Sequence, residues 1–181
     1  MTTSARPAPR AGVAFDVVFG LIALAGIAFT VYMLSDSWGA GYAVFDTIVA
    51  VLMTGLALAR RINPAMTAAA GVGLGLIAVL VSHFADLPQE PSPIASLGLA
   101  VLVGSAIRRL PSSWAAGIGA GGLAVFLACW VTGGFRAVAV LGTLAYLAAV
   151  AIGWSMREVD KGRRAADERD RAAAADHANW R

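Results

Sequence analysis

Residues 42–84 read YAVFDTIVAVLMTGLALARRINPAMTAAAGVGLGLIAVLVSHF, two apolar runs joined by Arg60-Arg61-Ile62-Asn63-Pro64. Each run is close to the roughly 20 residues needed to cross the hydrocarbon core of a bilayer. Lipid offers no hydrogen bonds to a bare backbone, so such runs fold as helices, and breaks this irregular do not suit the strands of a barrel. The same alternation extends in both directions. Apolar runs occur at 14–34, 42–59, 65–84, 93–107, 113–132 and 137–156, the fourth being short. Polar or turn-forming breaks separate them, including Ser35 to Gly39, Asp86 to Pro93, Arg108 to Ser112 and Thr132 to Arg136. The expected fold is all-α, a polytopic membrane bundle of six transmembrane helices set as three hairpins, the last helix continuing into a cytoplasmic one.

Composition points the same way. Of the 181 residues, 59% are hydrophobic and 14% charged, too little charge to cover a soluble core of this size. The basic residues then orient the spans. Arg6 and Arg10, the Arg60-Arg61 and Arg108-Arg109 breaks and the tail from Arg157 alternate with breaks carrying Asp36, Asp86 and Glu90, and Arg136 alone departs. Lys and Arg favour cytoplasmic loops, so both ends are expected in the cytoplasm of a multi-pass protein of the cell membrane. Trp38, Tyr42, Trp114, Trp130 and Trp154 fall near span ends, where amphipathic rings favour the interface. Residues 1–12, rich in Pro, Ala and Thr, are expected to be a disordered cytoplasmic segment, and residues 13–156 the membrane domain. The apolar run from Val13 to Leu34 exceeds a signal-peptide core and is read as a span.

Arg61, Arg109 and Arg157 close the second, fourth and sixth runs and are separated by 48 residues each time. This suggests three like-oriented hairpins, although bilayer thickness alone imposes similar spacings. Gly71, Gly73 and Gly75, and Gly117, Gly119, Gly121 and Gly122, read as close-packing surfaces between helices.

Residues 157–181 are a different material, holding seven of the fourteen basic and six of the eleven acidic residues. With these charges nearly balanced, the formal net charge of +3 gives no reason to expect nucleic acid as a partner. Nothing but Gly162 interrupts helix formation there, and Asp160 to Arg164 and Asp167 to Arg171 sit at helix-neighbour spacing. Val159, Ala166, Ala173 and Trp180 recur every seventh residue, while Arg163, Asp170 and His177 fill the alternate seam. The segment is therefore either a single solvated helix or one strand of a weak coiled coil, and its pattern runs on to Arg181 as if a further domain followed.

No catalytic or cofactor motif is present. His83 and His177 lack metal-ligand spacing, no phosphate-cradling loop occurs, and Cys129, the only cysteine, excludes an intrachain disulfide. Asp46, His83 and Arg136, expected toward the outer face, and Asp86 and Glu90 beside them, are candidates for one polar sensing site. An Asp46–Arg136 ion pair that only fixes packing is the alternative, and Asp16 lies nearer the cytoplasmic face.

The Arg60-Arg61-Ile62-Asn63-Pro64 and Arg108-Arg109-Leu110-Pro111 loops, six spans without large loops, and the stretch Arg163-Arg164-Ala165-Ala166-Asp167-Glu168-Arg169-Asp170-Arg171 resemble the N-terminal membrane region of actinobacterial two-component sensor histidine kinases. The resemblance implies a signal-input domain in a homodimer, feeding a kinase core that uses ATP and Mg2+ and a cognate response regulator. This chain contains neither the phosphoacceptor box nor an ATP-binding domain, and His177 does not match the phosphoacceptor motif. Two other functions stay open: a small transporter or channel lined by Asp46, His83 and Arg136, and a stand-alone accessory membrane protein.

Overall fold

The computed structural model describes residues 10–37 and 40–179, with no account of the side chains of residues 10, 11, 37, 40–42 and 174–179. The described residues form six helices and no strand: α1 (Arg10–Ser37), α2 (Ala40–Ala59), α3 (Pro64–Phe84), α4 (Pro93–Arg109), α5 (Ser112–Gly133) and α6 (Ala137–Asn179). Four of them, α1, α3, α5 and α6, contain stretches long and apolar enough to cross a membrane, and α2 adds the shorter apolar stretch Ala43–Ala59. Leu24, Phe29, Ile48, Ile77, Val131 and Leu141 stand exposed around the outside of the bundle. So much bare apolar surface is unfavourable in water and ordinary against lipid tails.

The boundaries have local causes. Arg10 to Gly12 are already helical, so α1 begins inside the segment expected to be disordered. Asn63 caps α3 by accepting from the Met66 N–H at 3.1 Å, and Pro64 occupies the first turn, where no amide donor is needed. Asp86 turns the chain away from α3 with a left-handed backbone (φ 51°), and Gly134 does so between α5 and α6 (φ 71°). At 43 residues, α6 passes through Arg157 without a break.

The helices alternate in direction. One end of the bundle, the basic end, gathers Arg60, Arg61, Arg108 and Arg109, and the other carries the α3–α4 loop with Asp86 and Glu90. In the middle sits α4, the shortest helix, which packs against each of the other five. Ala95, Leu99, Leu102, Val103 and Ala106 lose all solvent contact, so α4 is buried nearly all round. Its most extensive interface is with α6, which runs parallel to it, and α5 packs mainly on α3 and α4 rather than on its sequence neighbour α6.

Small residues make the α4–α6 contact possible. A Cβ placed on Gly153 would lie 2.5 Å from the Gly104 carbonyl oxygen, and one on Gly104 would lie 2.9 Å from that of Ala149. The two backbones touch directly, which only side-chain-free positions allow. Of the glycines singled out from the sequence, Gly71, Gly75, Gly121 and Gly122 face neighbouring side chains, whereas Gly73 and Gly117 face open space.

Ion pairs fasten the basic end. Asp16 accepts from Arg60 at 2.5 Å and Arg61 at 2.8 Å, joining α1 to the α2–α3 turn. Arg108 forks onto Asp160 through two bonds of 2.8 and 3.2 Å, and Arg157 donates to Ser112 Oγ at 2.9 Å and to the Ile107 carbonyl at 3.3 Å. From Lys161 to Ala173 every residue is exposed.

Gly153→Val forces α4 and α6 apart and is expected to lower stability by about 2–3 kcal/mol, the usual cost of overpacking. Gly73→Ala, in open space, changes it by less than about 0.5 kcal/mol. Unfolding titrations in mixed detergent, followed by circular dichroism, measure the difference.

Candidate functional site

The α3–α4 loop reads Ala85-Asp86-Leu87-Pro88-Gln89-Glu90-Pro91-Ser92, and its last three residues are buried. Ser82 near the end of α3 donates to the Pro88 carbonyl at 2.6 Å, and its own carbonyl accepts from the Leu87 amide at 3.0 Å, so the loop is pulled back over the helix that precedes it. Ser96 anchors the far side, its amide bonding the Ser92 carbonyl at 2.8 Å and its hydroxyl the Pro91 carbonyl at 3.3 Å. Prolines at 88, 91 and 93 restrict φ on both sides of Gln89-Glu90, which favours a stiff crossing.

The two polar side chains between those prolines then point to opposite neighbours. Gln89 Nε2 donates to the Cys129 carbonyl and to its sulfur, each at 3.1 Å, in the space left by Gly133 on α5. Glu90 turns toward α2 and meets the side chain of Asp46. The loop thereby ties α5 to α2 across the top of α4.

Glu90 is 1% exposed and Asp46 4%, so the two interacting carboxyl groups are both buried. Glu90 Oε2 accepts from the Ser92 amide at 2.7 Å, while Oε1 has no donor among the described residues. Two buried carboxylates near each other repel, and a proton on Glu90 removes the repulsion. Accordingly, burial first and the Asp46 carboxyl second push Glu90 from 4.5 up to about 9, against a smaller opposing pull from the Ser92 amide. Glu90 therefore holds a proton at neutral pH.

Of the five residues expected to gather on this side, Asp46 and Glu90 come together. His83 and Asp86 are exposed, with His83 tilted against Phe84 at a centroid distance of 5.3 Å and Asp86 serving the turn. Arg136 is exposed as well, and no ion pair links it to Asp46 among the described residues, so the alternative Asp46–Arg136 packing pair is not formed. Sequence reasoning passed over Gln89; its place between prolines next to Glu90 was the available signal. It also left Asp160 without its partner Arg108, since 52 residues separate them. In the tail, Val159, Ala166 and Ala173 lie on the exposed helix, and Trp180 lies outside the described residues. Among the described residues no three His, Cys, Asp or Glu side chains are grouped to hold a metal ion.

The sign of the pH response follows from the proton on Glu90. Between pH 4.5 and about 9 the folded protein binds this proton more tightly than the unfolded chain, so stability is full below 4.5 and falls as pH rises through about 9. Melting in detergent at pH 6 and pH 9.5 should show a fall for the wild type and a smaller one for Glu90→Gln, whose amide cannot ionise. Compared with known proteins, the chain matches no family model, no curated protein and no solved structure.

Proposed function

We propose that the chain is a membrane signal-input unit: six spans in up-and-down order, both ends on the cytoplasmic side, passing a change at the Asp46–Glu90 pair to the tail of α6. The observation that carries this reading is the continuity of α6, one helix from Ala137 to Asn179, whose first half lies along α4. The acid pair abuts the start of α4, and Arg108 at the end of α4 grips Asp160 beyond the apolar part of α6. A shift of α4 on loss or gain of the Glu90 proton is thus transmitted to α6 at both ends of one interface. Close-packed interfaces of this kind switch between discrete arrangements, as signalling requires.

The alternation of basic and acidic ends supports the orientation. The tail stripe of Val159, Ala166 and Ala173, exposed along α6, supports a parallel homodimer, and the kinase resemblance supplies the output: a histidine kinase core using ATP and Mg2+ and a response regulator. The transporter reading has less to draw on, because His83 and Arg136 are exposed and unpaired while Asp46 is buried, so a shared polar path is not assembled among the described residues.

Single cysteines at Val159, Ala166 and Ala173, introduced after Cys129→Ser, report on the dimer. Inter-subunit disulfides are expected at these positions and not at the intervening Arg164, with yields that shift between pH 7 and pH 9.5 in a Glu90 background and stay constant in Glu90→Gln. Failure to cross-link at all three sinks the dimeric transmission scheme.

A further inference from the structure

A cavity of about 570 Å3 opens at the basic end, on the face of α4 that lies between α1 and α6. Those two helices both pack on α4 and have no contact with each other among the described residues, so the cavity continues a lateral cleft in the bundle wall. Its lining at this end includes four arginines, Arg61, Arg108 and Arg109 at the rim and the buried Arg60 behind them. Asp16 answers Arg60 and Arg61, and Asp160 answers Arg108, while Arg109 has no ion-pair partner among the described residues. Four positive groups against two negative ones leave an excess of two charges over the opening.

Below the rim the chemistry changes within one helical turn. Ala100, Val101 and Gly104 of α4 and Ala149, Ile152 and Gly153 of α6 form an apolar floor. Gly104 and Gly153 are also where the two backbones touch, so the floor is shallow and smooth rather than studded with side chains. A site with cationic rim and apolar floor, open sideways to lipid and set at the level where aromatic Trp154 and the arginines mark the interface, suits a ligand built the same way. The volume lies within the range of about 300–1,000 Å3 typical of small-ligand pockets.

We propose that this cleft binds an anionic phospholipid from the leaflet at the basic end, its phosphate under Arg61, Arg108 and Arg109 and the start of its acyl chains on the Gly104–Gly153 floor. Charge complementarity selects this occupant over a zwitterionic lipid, since a phosphatidylcholine headgroup would bring its own cation to the arginine rim. The apolar floor selects it over a free anion, for which half of the cavity would be wasted. Arg60, buried and bound to Asp16 and to the Ala57 carbonyl, acts as a fixed support behind the site and does not reach the ligand. The inference stands apart from the signalling scheme, because it uses neither the acid pair nor the tail stripe.

The test uses the full chain reconstituted in phosphatidylcholine bilayers that contain a trace of spin-labelled phosphatidylglycerol or spin-labelled phosphatidylcholine. The motionally restricted fraction of each label is compared. Wild-type protein should restrict phosphatidylglycerol at least about threefold more than phosphatidylcholine. Arg61→Gln with Arg109→Gln should bring the ratio to one. Ile152→Trp and Val101→Trp each fill the cavity without changing charge, and should abolish the preference too; circular dichroism identifies which of the two keeps its helices, and that one is read. A wild-type ratio of one overturns the proposal. So does a full preference in the folded tryptophan variant, which would assign the effect to diffuse surface charge, or displacement of the labelled lipid by millimolar inorganic phosphate, which would make the ligand a free anion.

Discussion

Backbone contact between α4 and α6 is the constraint on which the rest of the molecule depends. Without a side chain at Gly104 or Gly153 the two helices approach until carbonyl oxygen and Cα are in contact, and α4 can then be enclosed by five neighbours. In lipid the hydrophobic effect does not drive helices together, so dispersion contacts and the few available hydrogen bonds must do so. Close approach maximises the first. The second include Arg108 and the Ile107 carbonyl at the end of α4, which meet Asp160 and Arg157 of α6, and the Trp130–Thr143 and Tyr146–Gly119 bonds between α5 and α6.

Much of this architecture was legible and some was not. The helices fall close to the apolar runs because span length and Pro or Gly breaks are local signals: α3 starts at Pro64 and α4 at Pro93, each within a residue of expectation. Which helix lies at the centre is not a local property. Hydropathy does not distinguish a helix facing lipid from one facing protein, since both are apolar, and the shortness of the fourth run was the only hint. Glycine patterns were similarly ambiguous. Gly73 and Gly117 belong to conspicuous repeats yet face open space, whereas Gly104 and Gly153 stand alone in the sequence and touch. At the candidate site, ionisable residues near the membrane were easy to gather, but their grouping depended on the inward fold of the Pro88 to Pro93 loop. That fold brought Glu90 to Asp46 and left His83, Asp86 and Arg136 at the surface.

The two ends of the bundle solve the placement of charge in contrasting ways. Arginine has a long stem and five donors, so at the basic end charges reach carboxylates, carbonyls and solvent together, and Arg60 even stacks on Phe15 at 5.1 Å. The opposite end has short carboxyl side chains in a buried site, where the available remedy is to retain a proton. One end is therefore accommodating and the other is selective, and α4 runs between them.

The enclosure of α4 also bears on how the protein is made. A helix of 17 residues, ending in two arginines and containing Gly98, Gly104, Ser96 and Ser105, gains little from lipid alone. Its principal partner, α6, leaves the ribosome only after another helix has been synthesised. The surroundings of α4 are therefore complete only once the last apolar helix is in place.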